Sequence, residues 1–177
     1  MTQPTYYQQR IIHPEGSEFG PGEAVVFVRE GPLGALHAGA LTDGSGTKVV
    51  GPDGSEAFLP LVPDGRPPSR KEWRSGVRGT LCGAPLVLRK HGGLRRSRRR
   101  IVVEAGGLPP RVLRLRGMSG ALSLEAAEGR RLAWAANKTS PLAASGEAQV
   151  PDVMLVLLCL VLGMERELKL GLLDLWI

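Results

Sequence analysis

The sequence predicts an all-β protein with an apolar helix near its C-terminus. Short β-like runs recur at regular spacing, and turn signals such as Asp-Gly and Gly-Gly separate them. The 177 residues include 24 Gly and 14 Pro, which favours many turns and short elements over a helical bundle. Hydrophobic residues make up 42% of the chain, which is enough for a core and excludes wholesale disorder.

Nine strands are predicted before the helix. Their regular spacing, with no helical pattern between them, is typical of a β-sandwich or a β-barrel. The predicted strands are Ala24–Arg29, Lys48–Val50, Ala57–Val62, Val77–Cys82, Pro85–Lys90, Ile101–Glu104, Arg111–Leu115, Ala121–Leu124 and Arg131–Ala136.

Ten consecutive apolar residues, Val153 to Leu162, predict the helix, and Pro151 and Asp152 suit its first turn. The run is too short to cross a bilayer, which takes about 20 residues. A helix that is apolar on every face requires burial, a partner or a membrane interface. We therefore expect it to pack on the domain or to dock on a partner or a membrane.

The net charge of +6 is unevenly distributed along the chain. Between Arg66 and Arg116 there are 15 Lys and Arg but only two acidic residues, and the densest run is Arg95–Arg100. This run is either a solvated basic hairpin or a site for RNA, phosphate or an anionic membrane surface. Only one aromatic residue, Trp73, lies in the stretch, which weakens the case for binding single-stranded nucleic acid.

The two cysteines, Cys82 and Cys159, cannot build a disulfide scaffold, which favours a reducing compartment. The segment from Met1 to Arg10 is polar and has no apolar run typical of a secretory signal. No bound metal is expected, because no histidine pair has ligand spacing and the cysteines are far apart.

One serine stands in a setting that suits a nucleophile. Ser119 lies between glycines, which would let the N–H groups of Gly117 and Ser119 converge on one point as an oxyanion hole requires. His37 and then Asp64 precede it, in the chain order of a chymotrypsin-type triad. Each of these residues also suits an ordinary turn. Asp43 and Asp53 share the Asp-Gly setting of Asp64, so the identity of the triad aspartate stays open.

With these motifs, the chain resembles the serine-protease domain of the hepatitis C virus and pegivirus nonstructural polyprotein. More loosely, it resembles the serine proteases of pestiviruses and arteriviruses. The resemblance covers roughly residues 4–137, and its motifs are matched in order and spacing. They are the opening segment Pro4–Arg10, the histidine loop Leu36–Ala40, Asp64 followed by Cys82-Gly83, the strand Pro85–His91, the nucleophile loop Leu115–Gly120, and Trp134–Ala136.

The resemblance implies a chymotrypsin-like double β-barrel. Residues 1–72 would form an N-terminal barrel with His37 and Asp64, residues 73–149 a C-terminal barrel with Ser119, and residues 150–177 an apolar helical tail. The implied activity is that of a viral serine endopeptidase that processes a polyprotein. The implied location is the host cytoplasm, at the cytoplasmic face of intracellular membranes.

The resemblance also implies substrate-binding roles for Arg116, Trp134, Ala135 and Ala136. The indole of Trp134 would leave a shallow pocket, so cleavage after a small residue is expected. The hepatitis C branch holds a zinc ion with three cysteines and a histidine, and only Cys82 matches a ligand position, so no metal is expected here. An activating peptide from a neighbouring polyprotein segment is the one auxiliary partner implied.

The alternative hypothesis is a non-enzymatic basic β-barrel adaptor that binds RNA or an anionic lipid. A β-barrel closed around an apolar terminal helix, as in the tubby-type lipid-binding folds, would produce the same order of strands and helix. The arginine run and the apolar helix suit this hypothesis better than they suit a peptidase. A peptidase, in contrast, must bring His37 Nε2 within hydrogen-bonding reach of Ser119 Oγ.

Overall fold

The computed structural model describes residues 4–12, 24–41, 45–60, 68–92, 98–117, 120–137, 140–164 and 168. Twelve strands and two helices are defined within them. In chain order they are β1 (Thr5–Ile12), β2 (Ala24–Gly31), β3 (Gly34–Leu41), β4 (Gly46–Val50), β5 (Glu56–Pro60), α1 (Arg70–Ser75), β6 (Val77–Leu81), β7 (Ala84–His91), β8 (Arg100–Ala105), β9 (Arg111–Arg116), β10 (Ala121–Ala126), β11 (Arg131–Ala135), β12 (Leu142–Ala144) and α2 (Val150–Val161).

These strands form one closed antiparallel barrel. Each strand pairs with its neighbours in the chain, and β1 closes the barrel by pairing with β12. The prediction of a mostly β protein with a C-terminal helix is confirmed, whereas the chymotrypsin-like double barrel is not confirmed. The expected border at residues 72 and 73 falls inside α1, and β5 and β6 on its two sides pair directly through Ala57 and Leu81. The sheet therefore continues across the expected border.

The direction of the strands defines two ends of the barrel. Because neighbouring strands are antiparallel, all odd-numbered strands finish at one end, which we name the upper end; the other is the lower end. α2 follows β12 and so begins at the lower end. There the Oδ1 of Asp152 accepts a 2.9 Å hydrogen bond from Nε of Arg111, the first residue of β9. α2 therefore runs from the lower end to the upper end.

α2 forms the centre of the hydrophobic core. Every side chain from Val153 to Leu160 is at most 1% exposed, and all belong to the same buried cluster as the inward-facing residues of the strands. An apolar helix of this kind is stabilised by burial on all sides. The expectation of a C-terminal apolar helix that packs on the domain is confirmed, since the barrel encloses this run.

Among the described residues, no helix is both long enough and apolar enough to span a membrane.

The inward-facing side chains are smaller where α2 packs against the wall. α2 contacts β3, β4, β5, β10 and β11, and several of these strands contribute alanines to the interior. Larger side chains fill the opposite wall, which lies farther from the helix. The buried alanines are Ala38, Ala57, Ala133 and Ala135, and the large residues of the opposite wall include Leu86, Leu88, Ile101 and Leu113.

The turn between β6 and β7 contains a strained residue. Cys82 and Gly83 connect the paired residues Leu81 and Ala84, and both have positive φ, at 50° and 78°. Two positive φ values define a type I′ turn, which favours Asn-Gly and disfavours a side chain such as that of cysteine.

We expect Cys82→Asn to raise the free energy of unfolding by about 0.5–1 kcal/mol, since asparagine adopts this conformation more readily. Urea denaturation measures the change. The control is Gly83→Ala, which introduces strain at the second position and should lower the midpoint. A lower midpoint in Cys82→Asn would contradict the turn assignment.

Candidate functional site

Of the three predicted triad residues, one, His37, lies within the described residues. His37 lies in the middle of β3, half-buried, with a buried Nδ1 that has no hydrogen-bond partner. Asp64 and Ser119 lie outside the described residues. The strands on either side of Ser119 are β9 and β10, which are six and five positions from β3 around the barrel. α2 fills the space between these opposite walls.

The glycines of the predicted nucleophile loop form part of the β9–β10 connection. Gly117 and Gly120 both have a φ of 70°, and the N–H of Gly120 donates to the carbonyl oxygen of Gly117 over 3.3 Å. The flanking residues Arg116 and Ala121 pair directly. The loop thus connects two neighbouring strands of one barrel.

Of the two other candidate aspartates, one is described. Asp43 lies outside the described residues. Asp53 lies in the exposed turn between β4 and β5, where its Oδ1 accepts hydrogen bonds of 2.6 Å from Ser55 Oγ and 3.1 Å from Ser55 N. The hydroxyl hydrogen bond is the main reason that the pKa of Asp53 lies below its usual value. This carboxylate stabilises a turn at the lower end.

The expected substrate-pairing segment, Trp134 to Ala136, is not an edge strand. β11 lies between β10 and β12, and Trp134 pairs with Ser123 on one side and Ala143 on the other. Ala135 is 2% exposed and belongs to the core. Trp134 is half-buried, and the guanidinium of Arg131 lies 4.9 Å from its ring centre. Because the barrel is closed, β11 pairs on both sides and has no free edge.

Arg116, the other expected substrate-binding residue, is engaged within the protein. Its Nε and Nη2 donate to the two carboxylate oxygens of Glu125 over 2.5 and 2.8 Å, in a bidentate ion pair. Glu125 is 3% exposed, and its hydrogen bonds raise the pKa of Arg116 above the usual value. Arg116 therefore neutralises a buried carboxylate.

The basic stretch of the sequence becomes one side of the barrel. Because β6, β7, β8 and β9 are consecutive neighbours, the charges between Arg66 and Arg116 cannot spread around the whole wall. We name α1 together with β6–β9 the basic wall. Its exposed or half-exposed cations on α1, on β6, on β7 and next to or in β8 are Lys71, Arg74, Arg78, Arg89, Lys90, Arg98 and Arg100.

These cations lie toward the upper end. Arg78 is the second residue of β6, which begins there, and Arg89 lies near the finish of β7. Arg100 begins β8 and pairs with His91, the last residue of β7. Adjacent strands are about 4.8 Å apart, so β6, β7 and β8 place these cations on three successive strands of one surface.

α1 is fixed to the basic wall by its caps and one aromatic side chain. Ser69 Oγ accepts from the N–H of Glu72, and Glu72 Oε2 accepts from the N–H of Ser69, so a capping box begins the helix. Trp73 is 2% exposed and packs in the core. At the C-cap, Gly76 has a φ of 105°, and its position leaves room for the side chain of Arg89. Lys71 and Arg74 remain exposed.

Acidic side chains neutralise this surface only in part. On the basic wall, Glu104 pairs with Arg89 over 2.7 Å and Glu72 caps α1. The arginines of β9 face other partners: Arg111 binds buried Asp152, and Arg114 lies 3.7 Å from Glu125. The exposed positive charge is therefore concentrated on α1 and β6–β8.

The arginine run divides into exposed and buried members. Arg95 and Arg96 lie outside the described residues, whereas Arg98 and Arg100 are exposed. Arg99 is 6% exposed, and its Nη1 donates to the carbonyl oxygen of Leu168 over 3.3 Å. The run was interpreted as one basic site, but only part of it faces solvent. Arg74, Arg78 and Arg89 lie outside the arginine run, and their charge was counted from the sequence without their being recognised as site residues. Only the order of the strands reveals that they share a surface with the run.

No group of three or more His, Cys, Asp or Glu within the described part of the chain could hold a metal ion. Comparison with known proteins identifies no relative: the chain matches no protein-family model, and neither a curated protein nor a solved structure is significantly similar to it. The functional argument therefore rests on the geometry and charge of the basic wall.

Proposed function

We propose that this protein is a non-enzymatic binding protein that attaches to anionic membrane surfaces through the basic wall. The single observation that supports this most is the grouping of seven exposed or half-exposed cations on one side and toward one end of the barrel. Each Lys or Arg near an anionic leaflet contributes about 1 kcal/mol of attraction. A cluster of this size can provide reversible membrane binding without an inserted segment.

The architecture supports the same proposal. A closed barrel around a buried apolar helix is the arrangement that the tubby-type lipid-binding folds share, and α2 occupies that central place here. Because α2 lies inside the barrel, the outer face of the strands is the surface that would contact the membrane. The basic wall is the part of that face with the greatest positive charge.

A membrane fits the basic wall better than RNA does. Proteins that bind single-stranded nucleic acid usually stack bases on exposed aromatic side chains. In the described part of α1 and β6–β9, the one Trp, Tyr or Phe is Trp73, and it is buried in the core. Cations without aromatic platforms recognise charge density, which an anionic leaflet supplies.

The test is co-sedimentation with vesicles. The wild-type protein should bind vesicles with 30% phosphatidylserine in phosphatidylcholine, should not bind pure phosphatidylcholine, and should bind more weakly as salt rises. The triple variant Arg78→Gln, Arg98→Gln, Arg100→Gln should bind roughly 100-fold more weakly, since it removes about 3 kcal/mol of attraction.

The matched control is Arg130, an exposed arginine outside the basic wall that pairs with Glu128 and Glu147 at the lower end. Arg130→Gln removes the same charge as Arg100→Gln but should leave vesicle binding unchanged. Equal losses in these two single variants would show that only net charge matters and would overturn the assigned surface. Binding of homopolymeric RNA with no vesicle binding would overturn the membrane proposal in favour of RNA.

The peptidase hypothesis takes second place, because His37 is the one triad member described and its strand is five or six positions from those flanking Ser119. Its test is independent of vesicles. A fluorophosphonate probe that labels the wild-type protein but not Ser119→Ala would establish a reactive serine and favour the peptidase. An unlabelled wild-type protein agrees with the binding function.

A further inference from the structure

Arg99 occupies an unusual place for an arginine in a basic run. It is 6% exposed, while its neighbours Arg98 and Arg100 are exposed. Buried arginines need partners for their donors, and Nη1 of Arg99 donates to the main-chain carbonyl of Leu168, 69 residues along the chain. The guanidinium thus faces the interior, and Arg99 itself is not a surface ligand.

The acceptor, Leu168, is a helical residue that follows α2 in the chain. Gly163 ends α2 with a φ of 77°, and the chain is helical again at Met164 and Leu168, both fully buried. The carbonyl oxygen satisfies one of the donors of this buried guanidinium. This contact joins the upper end of the core to the residues immediately before β8.

We infer that Arg99 is a positioning residue, which couples the packing of the segment after α2 to the membrane-binding cations Arg98 and Arg100. The inference rests on the proposed membrane binding and goes beyond it by naming what orders the site. A loop that is held before binding loses less conformational entropy on binding. If the segment at Leu168 packs less well, Arg99 loses this hydrogen bond, and its two neighbours are held less firmly.

Leu168→Ala tests this coupling without changing any charge. We expect it to weaken binding to vesicles with 30% phosphatidylserine roughly fivefold, about the effect of losing one surface arginine. Arg99→Gln should have a similar effect, and the double variant should show little further loss, because both substitutions break one connection. Arg99→Lys keeps the charge and one donor and should restore part of the affinity.

The control for lost core packing is Leu36→Ala, in β3 on the other side of the barrel, where the side chain is 1% exposed. It should lower the thermal midpoint but leave vesicle affinity unchanged below that midpoint. The milder Leu168→Val serves if Leu168→Ala does not fold, with thermal unfolding as the check.

The possible results separate the two proposals. If the wild-type protein fails to bind vesicles, the membrane proposal and this inference fall together. If the wild-type protein binds and Leu168→Ala binds equally well, only the coupling is overturned. Additive losses in the Arg99→Gln, Leu168→Ala double variant would also overturn it, because two independent contributions would then be at work.

Discussion

Arg111→Ala is expected to lower the free energy of unfolding by about 3–5 kcal/mol, because it leaves a buried carboxylate without its partner. Asp152 is fully buried in the first turn of α2, and Arg111 Nε donates to its Oδ1 over 2.9 Å. The other oxygen, Oδ2, accepts from the N–H of Gln149. One carboxylate thus fixes the start of the core helix both to β9 and to its own N-terminus.

Urea denaturation followed by circular dichroism measures the loss. Asp152→Asn in the Arg111→Ala background should recover much of the stability, since it removes the unpaired charge and retains a side-chain oxygen for Gln149 N–H. Arg130→Ala, at an exposed ion pair with Glu128 and Glu147, should scarcely move the midpoint. Equal destabilisation by Arg111→Ala and Arg130→Ala would contradict the burial of this ion pair.

The strands that the sequence predicted are those with β-branched or large apolar residues in alternation. All nine predicted strands correspond to observed ones, β2 and β4–β11. β3 was missed because its sequence, GALHAGAL, is rich in Gly and Ala, which have low β propensity. Its small residues suit the tertiary packing, since Ala38 is fully buried in the core and β3 contacts α2. Local sequence does not reveal that packing.

The missed strands also include the two that close the barrel. β1 and β12 pair with each other, and β12 has only three residues, too few for a periodic pattern. The nine predicted strands therefore left a sandwich and a barrel open, and the double barrel came from the resemblance alone. α1, which occupies the expected border, did leave a signal, because Ser69 and Glu72 have the spacing of a capping box.

The sequence predicted the positive charge of the candidate site but not where its cations lie on the fold. Counting cations between Arg66 and Arg116 located the basic wall within the sequence. The order of the strands decides which of these cations lie side by side on the surface. Buried acidic residues in other parts of the chain decide which cations are already in ion pairs. Arg111 and Arg116 belong to the second group, since their partners Asp152 and Glu125 lie outside the basic stretch.

The position of α2 leads to the second large effect that we expect. Leu158→Ala should lower the free energy of unfolding by about 2–5 kcal/mol, because it removes a fully buried side chain and leaves a cavity that the surrounding barrel cannot close. The strands around α2 are fixed by pairing on both sides, which limits how far they can move inward. Urea denaturation and the thermal midpoint report the change.

The same substitution distinguishes a core helix from a docking helix. A helix that covers a membrane or partner from outside would tolerate Leu158→Ala in the isolated protein, with an unchanged midpoint and reduced binding. A helix inside the barrel predicts the reverse, with a large loss of stability and unchanged vesicle affinity in the folded fraction. Leu33→Ala, in the exposed β2–β3 turn with a side chain that is 39% exposed, is the matched control and should have little effect. An unchanged midpoint in Leu158→Ala would remove α2 from the core, and with it the reason to assign membrane contact to the outer face of the strands.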